Sequence, residues 1–350
     1  MGASVMGGHE IWQMIRKNNG YNPSPDRYMN MEYRRAGKSG LQLSALSFGM
    51  WHNFGSVDNY EMMRSIIFAA FDGGITVFDL ANNYGPPAGT AERNFGSILS
   101  RDLKAYRDEM IITTKAGYNA WRGPYGNGNG DRKHLISSLD RSLKNIGVDY
   151  VDIFYHHRPD PNTPIEETCL ALKQIVDSGK ALYIGVSNYS FEQVKAAYPI
   201  FKELKVPFVL LQMQYSILDR TVETSGLKKF AHENGLAITA YSPLAQGLLT
   251  DRYLHGIPED SRMNRNLDLK RERLTDELSG KIVRLNELAQ ARGQTLAEMA
   301  LSWTLKDSDV ASSIVGASRP QQIEDDLKIN ASFTEEELAR IDDIVLTKER

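Results

Sequence analysis

Ile75-Thr76-Val77-Phe78-Asp79-Leu80-Ala81-Asn82-Asn83-Tyr84 is the stretch on which the reading of this chain turns. Its first four residues have the apolar, β-branched character of a buried strand. The run stops at Asp79, and Tyr84 follows five residues later. Two more apolar runs stop in the same manner. Met110-Ile111-Ile112-Thr113-Thr114 ends at Lys115, and Tyr150-Val151-Asp152-Ile153-Phe154-Tyr155 ends at His156-His157. Asp, Tyr, Lys and His thus arrive at the C-terminal ends of successive strands, the end on which an α/β barrel carries its chemistry.

Outward from this stretch the same rhythm repeats. Strand-like runs lie near 45–50, 74–79, 110–115, 150–156, 181–187, 208–213, 236–241 and 312–316. Helix signals separate them. Asp58 with Glu61 offers a capping-box start, and Gly73-Gly74 a stop. Asp131 offers an N-cap to a helix that places Leu135, Leu139, Leu143 and Ile146 on one face and stops at Gly147. Thr163-Pro164 with Glu166, Ser190 with Gln193, and Thr295 with Glu298 repeat the start signal, and Gly235 closes the helix of 225–234. Eight strands alternating with helices predict a (β/α)8 TIM barrel, with a doubly wound sheet as the alternative. Long loops at 116–130 and 242–275 then cover the catalytic face. No strand runs into G-x-G-x-x-G, so the Rossmann mode of dinucleotide binding has no support. Gly126-Asn127-Gly128-Asn129-Gly130 precedes Asp131 in a loop and reads as a flexible connection.

Composition excludes several classes. The 350 residues are 41% hydrophobic and 24% charged with a net charge of −3, so no broad basic surface speaks for nucleic acid or an anionic membrane. No apolar run approaches the roughly 20 residues of a membrane span. The N-terminus has no secretory h-region, and Met6 breaks a myristoylation motif. The single cysteine, Cys169, falls on the apolar face shared by Ile165, Leu172 and Val176 and reads as core, which suits a reducing cytoplasm. Residues 1–32 are polar, with one short helical possibility at 10–17, and read as an N-terminal extension. Residues 33–350 read as a single domain.

Strand alternation sharpens the constellation. Val77 and Asp79 share a face, as do Thr113 and Lys115. On the fourth strand Ile153, Tyr155 and His157 go together, opposite Asp152, Phe154 and His156. Only one of the two histidines can join Asp79 and Lys115. A tyrosine is a weak acid at neutral pH. A neighbouring ammonium lowers its pKa, a carboxylate keeps that ammonium charged, and a histidine can hold a substrate oxygen. Such a set protonates a carbonyl oxygen while a nicotinamide hydride attacks its carbon. A Schiff-base lyase built on Lys115 is the rival chemistry. The histidine pair has no third ligand at metal spacing.

The segments FDLANNYG, ITTKAG and YVDIFYHHR resemble the catalytic segments of the aldo-keto reductase family. LYIGVSNYS, LLQMQYS, AYSPLAQGLLT and IVGASRPQQIEDDL are similar to its cofactor segments, in order from about Tyr33 to Ile344. WHNFG, NNYGPP and WRGPYG resemble the branch that reduces L-glyceraldehyde 3-phosphate, and RPDPNTP resembles the potassium-channel β-subunit branch. The resemblance implies a tetrad of Asp79, Tyr84, Lys115 and His157, with Tyr84 as general acid and His156 as packing. It implies NADPH held at Trp51, Asp79, Ser187, Asn188, Gln212, Tyr241, Ser242, Pro243, Leu244, Gln246 and Gly247. Arg252, Arg262, Gly316, Ser318, Arg319, Gln322 and Asp325 then complete the phosphate and adenosine end. Asp326 stands where relatives carry Asn, a charge that disfavours a nearby phosphate. The implied substrate pocket is Trp51, His52, Tyr84, Trp121, His157 and Arg158, with Arg122 or Arg158 on a substrate phosphate and Asp160 as the bland partner of Arg158. The implied activity is reduction of a small aldehyde, L-glyceraldehyde 3-phosphate or one like methylglyoxal, by a cytoplasmic homo-oligomer of four or more subunits. A cofactor-sensing module like the channel subunits is the alternative.

Overall fold

In a computed structural model, described for residues 20–254, 256–257, 259 and 271–346, the eight expected strands close on themselves. A short antiparallel hairpin comes first, β1 (Tyr33–Arg35) and β2 (Gln42–Ser44). The barrel strands are β3 (Leu46–Gly49), β4 (Val77–Asp79), β5 (Ile111–Ala116), β6 (Val151–His156), β7 (Ala181–Ser187), β8 (Phe208–Gln214), β9 (Ala237–Tyr241) and β10 (Val310–Val315). Each pairs in parallel with its sequence neighbours, and β10 pairs with β3 to close the ring. Closure removes both sheet edges, which rules out the doubly wound alternative.

The helix starts follow local hydrogen bonding. Asp131 accepts from His134 N, and Gly147 ends that helix at φ 77°, a left-handed conformation that glycine adopts without strain. Ser190–Gln193 and Thr295–Glu298 form complete capping boxes, each worth about 1 kcal/mol. Two expected starts are corrected. The helix Tyr60–Asp72 is capped by Asn59, whose side chain accepts from Met62 N, while Asp58 accepts from Gly55 N. The helix Ile165–Asp177 follows Pro164 with no side-chain cap, because Thr163 donates its hydroxyl to Asp160 instead.

The hairpin was not expected, because strands of three residues, Tyr-Arg-Arg and Gln-Leu-Ser, carry little apolar signal. It stoppers the N-terminal end of the barrel. Leu43 and Ala36 pack beneath Val77, Ile153, Tyr155, Val209 and Ala311. Arg34 donates to the carbonyls of Leu305, Asp307 and Val310. Above them Tyr155 fills the barrel interior, and Gly185 makes room for it. A Cβ at Gly185 would lie 2.3 Å from the Tyr155 ring. The start of the fold also lies further upstream than expected. Tyr21 stacks on Phe68 at 3.8 Å, and both its hydroxyl and Ser24 N donate to Asp72. The short helical possibility at 10–17 lies outside the described residues. Among those residues no helix is long and apolar enough to cross a membrane.

Candidate active site

Register carries the strand-end residues to one place. Asp79 pairs with Thr113, and Lys115 with Tyr155, so the inward faces of β4, β5 and β6 step upward around the barrel wall. Asp79, at 3% exposure, accepts from Lys115 Nζ at 2.5 Å, Thr113 Oγ1 at 2.6 Å and Gln212 Nε2 at 2.9 Å, the last from β8. Lys115 is wholly buried and donates also to the Leu80 carbonyl at 2.7 Å. A buried ion pair is tolerated only when its remaining hydrogen-bonding groups are met, as they are here.

Tyr84 lies over this pair, its ring centroid 4.9 Å from Lys115 Nζ. His157 meets it edge-on with centroids 5.9 Å apart, and Tyr118 packs against the other side of the imidazole at 4.6 Å. Parity puts the two histidines on opposite faces, and the family resemblance named His157. His157 lines the cavity, whereas His156 points outward, fully buried, with Nδ1 2.7 Å from the Tyr189 hydroxyl.

Electrostatics set the resting protonation. Burial, followed by the Asp79 charge, pushes the Tyr84 phenol well above its usual range. The expected lowering by Lys115 is thus not what governs it in this structure. The ammonium bonds Asp79 and Leu80 and faces the ring. Burial also pulls Lys115 down, against the opposing pull of Asp79. Burial, then Lys115, holds His157 well below the usual imidazole value. The resting site therefore presents a protonated tyrosine and a neutral imidazole at neutral pH.

Above these groups opens a cavity of about 460 Å³. Its lining includes Trp51, His52, Asp79, Tyr84, His157, Ser187, Asn188, Gln212, Tyr241, Ser242, Pro243, Leu244, Gln246, Gly247, Arg252, Gly316 and Gln322. Asn53, Asn83, Tyr118, Thr250 and Tyr253 line it as well and were missed from sequence. Tyr118 was in principle legible, since it follows Lys115 by three residues. Tyr241 donates to Asn188 Oδ1 at 2.6 Å, and Asn188 Nδ2 to the His157 carbonyl at 2.9 Å, so the ends of β6, β7 and β9 are tied together.

Other expected residues lie elsewhere. Trp121 stacks on His134 at 5.1 Å under Arg141 and does not line the cavity, because its loop folds back onto the helix Arg132–Ile146. Arg158 lies over the Tyr118 ring at 4.3 Å and donates to the Gly117 carbonyl, so it supports the wall rather than lining it. Asp160, its expected bland partner, accepts from Gly130 N, Asn162 N and Thr163. Arg122 is exposed. Ser318 bonds Gln322, Asp325 bonds Lys328, and Arg319 precedes the helix Pro320–Asp326 without a side-chain capping bond; none of Ser318, Arg319 and Asp325 lines the cavity. Asp326 turns inward and is buried. Burial, then Asp325 and Glu298, push its pKa up to about 7. Arg262 lies outside the described residues.

A family model described as Aldo/keto reductase family matches residues 45–346. The chain belongs to the aldo-keto reductase family. It is an oxidoreductase with the barrel of that family. This aldo-keto reductase is 54% identical over 325 residues to an L-glyceraldehyde 3-phosphate reductase of Escherichia coli O157:H7, covering 91% of this chain and 94% of the relative. The enzyme of that name from Escherichia coli strain K12 gives the same identity and coverage. A probable voltage-gated potassium channel subunit beta of Arabidopsis thaliana is 38% identical over 304 residues, with 85% of this chain and 90% of the relative covered.

Proposed function

We propose that this chain reduces small aldehydes with NADPH, with L-glyceraldehyde 3-phosphate as the leading substrate and an aldehyde like methylglyoxal as the next. The observation that carries the reading is the meeting of Tyr84 and His157 at the cavity floor, over the buried Asp79–Lys115 pair. The 54% identity to reductases of that triose phosphate supports the substrate.

The loop side of the cavity fits a dinucleotide. Ser242, Ala245 and Gln246 hold left-handed backbone at φ 53°, 47° and 61°, and Gln246 Oε1 is buried with no hydrogen-bond partner. A ligand's polar groups are what such a turn lacks. Ser187, Asn188 and Gln212 would hold a carboxamide, Tyr241 would back a nicotinamide ring, and Ser242 to Gly247 with Arg252 would follow the phosphates. When bound, NADPH supplies the hydride.

The residues of the chain do the rest. Neutral His157 donates a hydrogen bond to the carbonyl oxygen and fixes its direction. Tyr84 gives that oxygen its proton. Lys115, beneath the ring, stabilises the phenolate left behind, and Asp79 keeps Lys115 in place. The raised resting pKa of Tyr84 keeps its proton available over the neutral range, and the lysine acts once the proton has moved. Trp51, His52, Asn83 and Tyr118 wall the substrate end. Assembly into four or more subunits belongs to the same reading, and light scattering on the purified protein tests it.

Tyr84→Phe removes the acid and leaves the cradle. Steady-state NADPH oxidation with L-glyceraldehyde 3-phosphate should fall by about 10²–10⁴. NADPH binding, read by fluorescence, should stay at the wild-type value. Wild-type turnover in that variant ends the reading.

A further inference from the structure

One fully buried carboxylate stands outside the tetrad and just behind it. Glu92 lies in the first turn of the helix Thr90–Ile98 and is 0% exposed. That helix grows directly from the loop that bears the acid, since Ala91 N donates to the Tyr84 carbonyl. The carboxylate accepts from Thr114 Oγ1 at 2.7 Å and from Asn145 Nδ2 at 3.0 Å. Thr114 is the outward neighbour of Lys115 on β5, and Asn145 lies on the helix Arg132–Ile146. Glu92 therefore joins the acid's loop, the lysine's strand and a helix packed against both.

A fold has a cheaper way to join three elements than a buried carboxylate. Taking a charge out of water is costly, and a neutral amide would meet one of the two donors with its oxygen at lower cost. The charge itself is what an amide lacks. The charged and titratable groups that face Lys115 are Asp79 from β4, Tyr84 from its loop, His157 from β6 and Glu92 from behind β5, while Arg93 faces Glu92 from its own helix. Two of these, Asp79 and Glu92, are carboxylates.

We infer that Glu92 is a positioning residue for the reduction: from behind the barrel wall it fixes the Tyr84 loop to the Lys115 strand and supplies the second negative charge that keeps Lys115 cationic. The inference rests on the reductase reading for its effect on rate, but not for its effect on the lysine. Burial pulls the Lys115 pKa down, and Asp79 and then Glu92 pull it up; burial also raises the Glu92 carboxyl itself, opposed by its bonds from Asn145 and Thr114 and by the Arg93 charge. Loss of the Glu92 charge lets Lys115 shed its proton at lower pH, and with it the stabilised phenolate.

Glu92→Gln keeps size and shape, removes the charge and leaves one acceptor oxygen for the two donors. In that variant kcat should fall about tenfold, the rate equivalent of one hydrogen bond to a charged group. The alkaline limb of its pH profile should move to lower pH by about half a unit or more. NADPH binding should be unchanged. In parallel, the Lys115 ammonium is followed by NMR of isotope-labelled lysine and assigned with Lys115→Met. Its midpoint should move down in Glu92→Gln. An unmoved midpoint overturns the inference whether or not the wild type turns over any aldehyde, while an inactive wild type with a shifted midpoint overturns only the reductase reading. Should Glu92→Gln fail to fold, Thr114→Val cuts the tie to the strand and keeps the charge. It should lower kcat severalfold with the pH limb unmoved, and wild-type kcat in that variant also overturns the inference.

Discussion

The two walls of the cavity are built on opposite plans. Along β4, β5 and β6, side chains at strand ends bond one another, and Asp79 alone takes three donors. Across the mouth, beyond β9, the wall is backbone turned into left-handed conformations at Ser242, Ala245 and Gln246, with a buried amide oxygen left without a partner. The Asp79–Lys115 core of the first wall is satisfied without a ligand, and its rim, at the buried Nδ1 of His157, keeps an unmet group. The second has hydrogen-bonding capacity that only a ligand fills. Groups that move a proton need fixed positions, and a cradle needs unmet ones.

The sharpest way to break this contrast is Lys115→Met. It strands Asp79 as a buried charge with two neutral donors and should cost about 3–5 kcal/mol in urea unfolding. A variant as stable as wild type would mean that the first wall is not held by its ion pair. Next in size is Asp326→Asn, in the helix that bears the cavity residue Gln322. The folded carboxyl titrates near 7, far above the ordinary carboxylate value, so the folded chain keeps a proton that the unfolded chain releases. Stability from this group is full below about pH 4, falls as pH rises to about 7, and is flat above. Asp326→Asn should remove that slope and gain roughly 2–4 kcal/mol at pH 8, with little gain at pH 4. Thermal melts of the two proteins at both pH values give the answer; parallel curves would refute the assignment. Gln246→Ala should have the smallest effect on stability, about 0.5 kcal/mol or less, because its amide oxygen bonds nothing in the free protein. Its NADPH affinity should nonetheless fall by about tenfold. A large loss of stability there would show that the second wall is as self-contained as the first.

The same contrast explains what could be read from sequence. The strands of the first wall announce themselves as apolar runs, and their period of two sends His157 and His156 to opposite faces, while the family resemblance named His157 as the site residue. Eight such runs with helix signals between them admit few topologies. The second wall is loop, where backbone angles decide, and residue type says little about them. Ser242 and Gln246 were reached through family resemblance rather than physical reading. Trp121 and Arg158 were misplaced because position in a loop does not tell which way the loop folds. Trp121 found a partner in His134, and Arg158 found one in the Gly117 carbonyl. Asp326 appeared as a charge aimed at a phosphate, because sequence alone does not show that its helix turns it inward. Glu92 was overlooked because its partners lie 22 and 53 residues away.

The small hairpin at the foot of the barrel has a consequence for traffic. With Leu43 and Ala36 seated under the strand starts, the described residues leave the barrel open toward Tyr84 from the loop end. Every molecule that reaches Tyr84 must use the same mouth as every molecule that leaves.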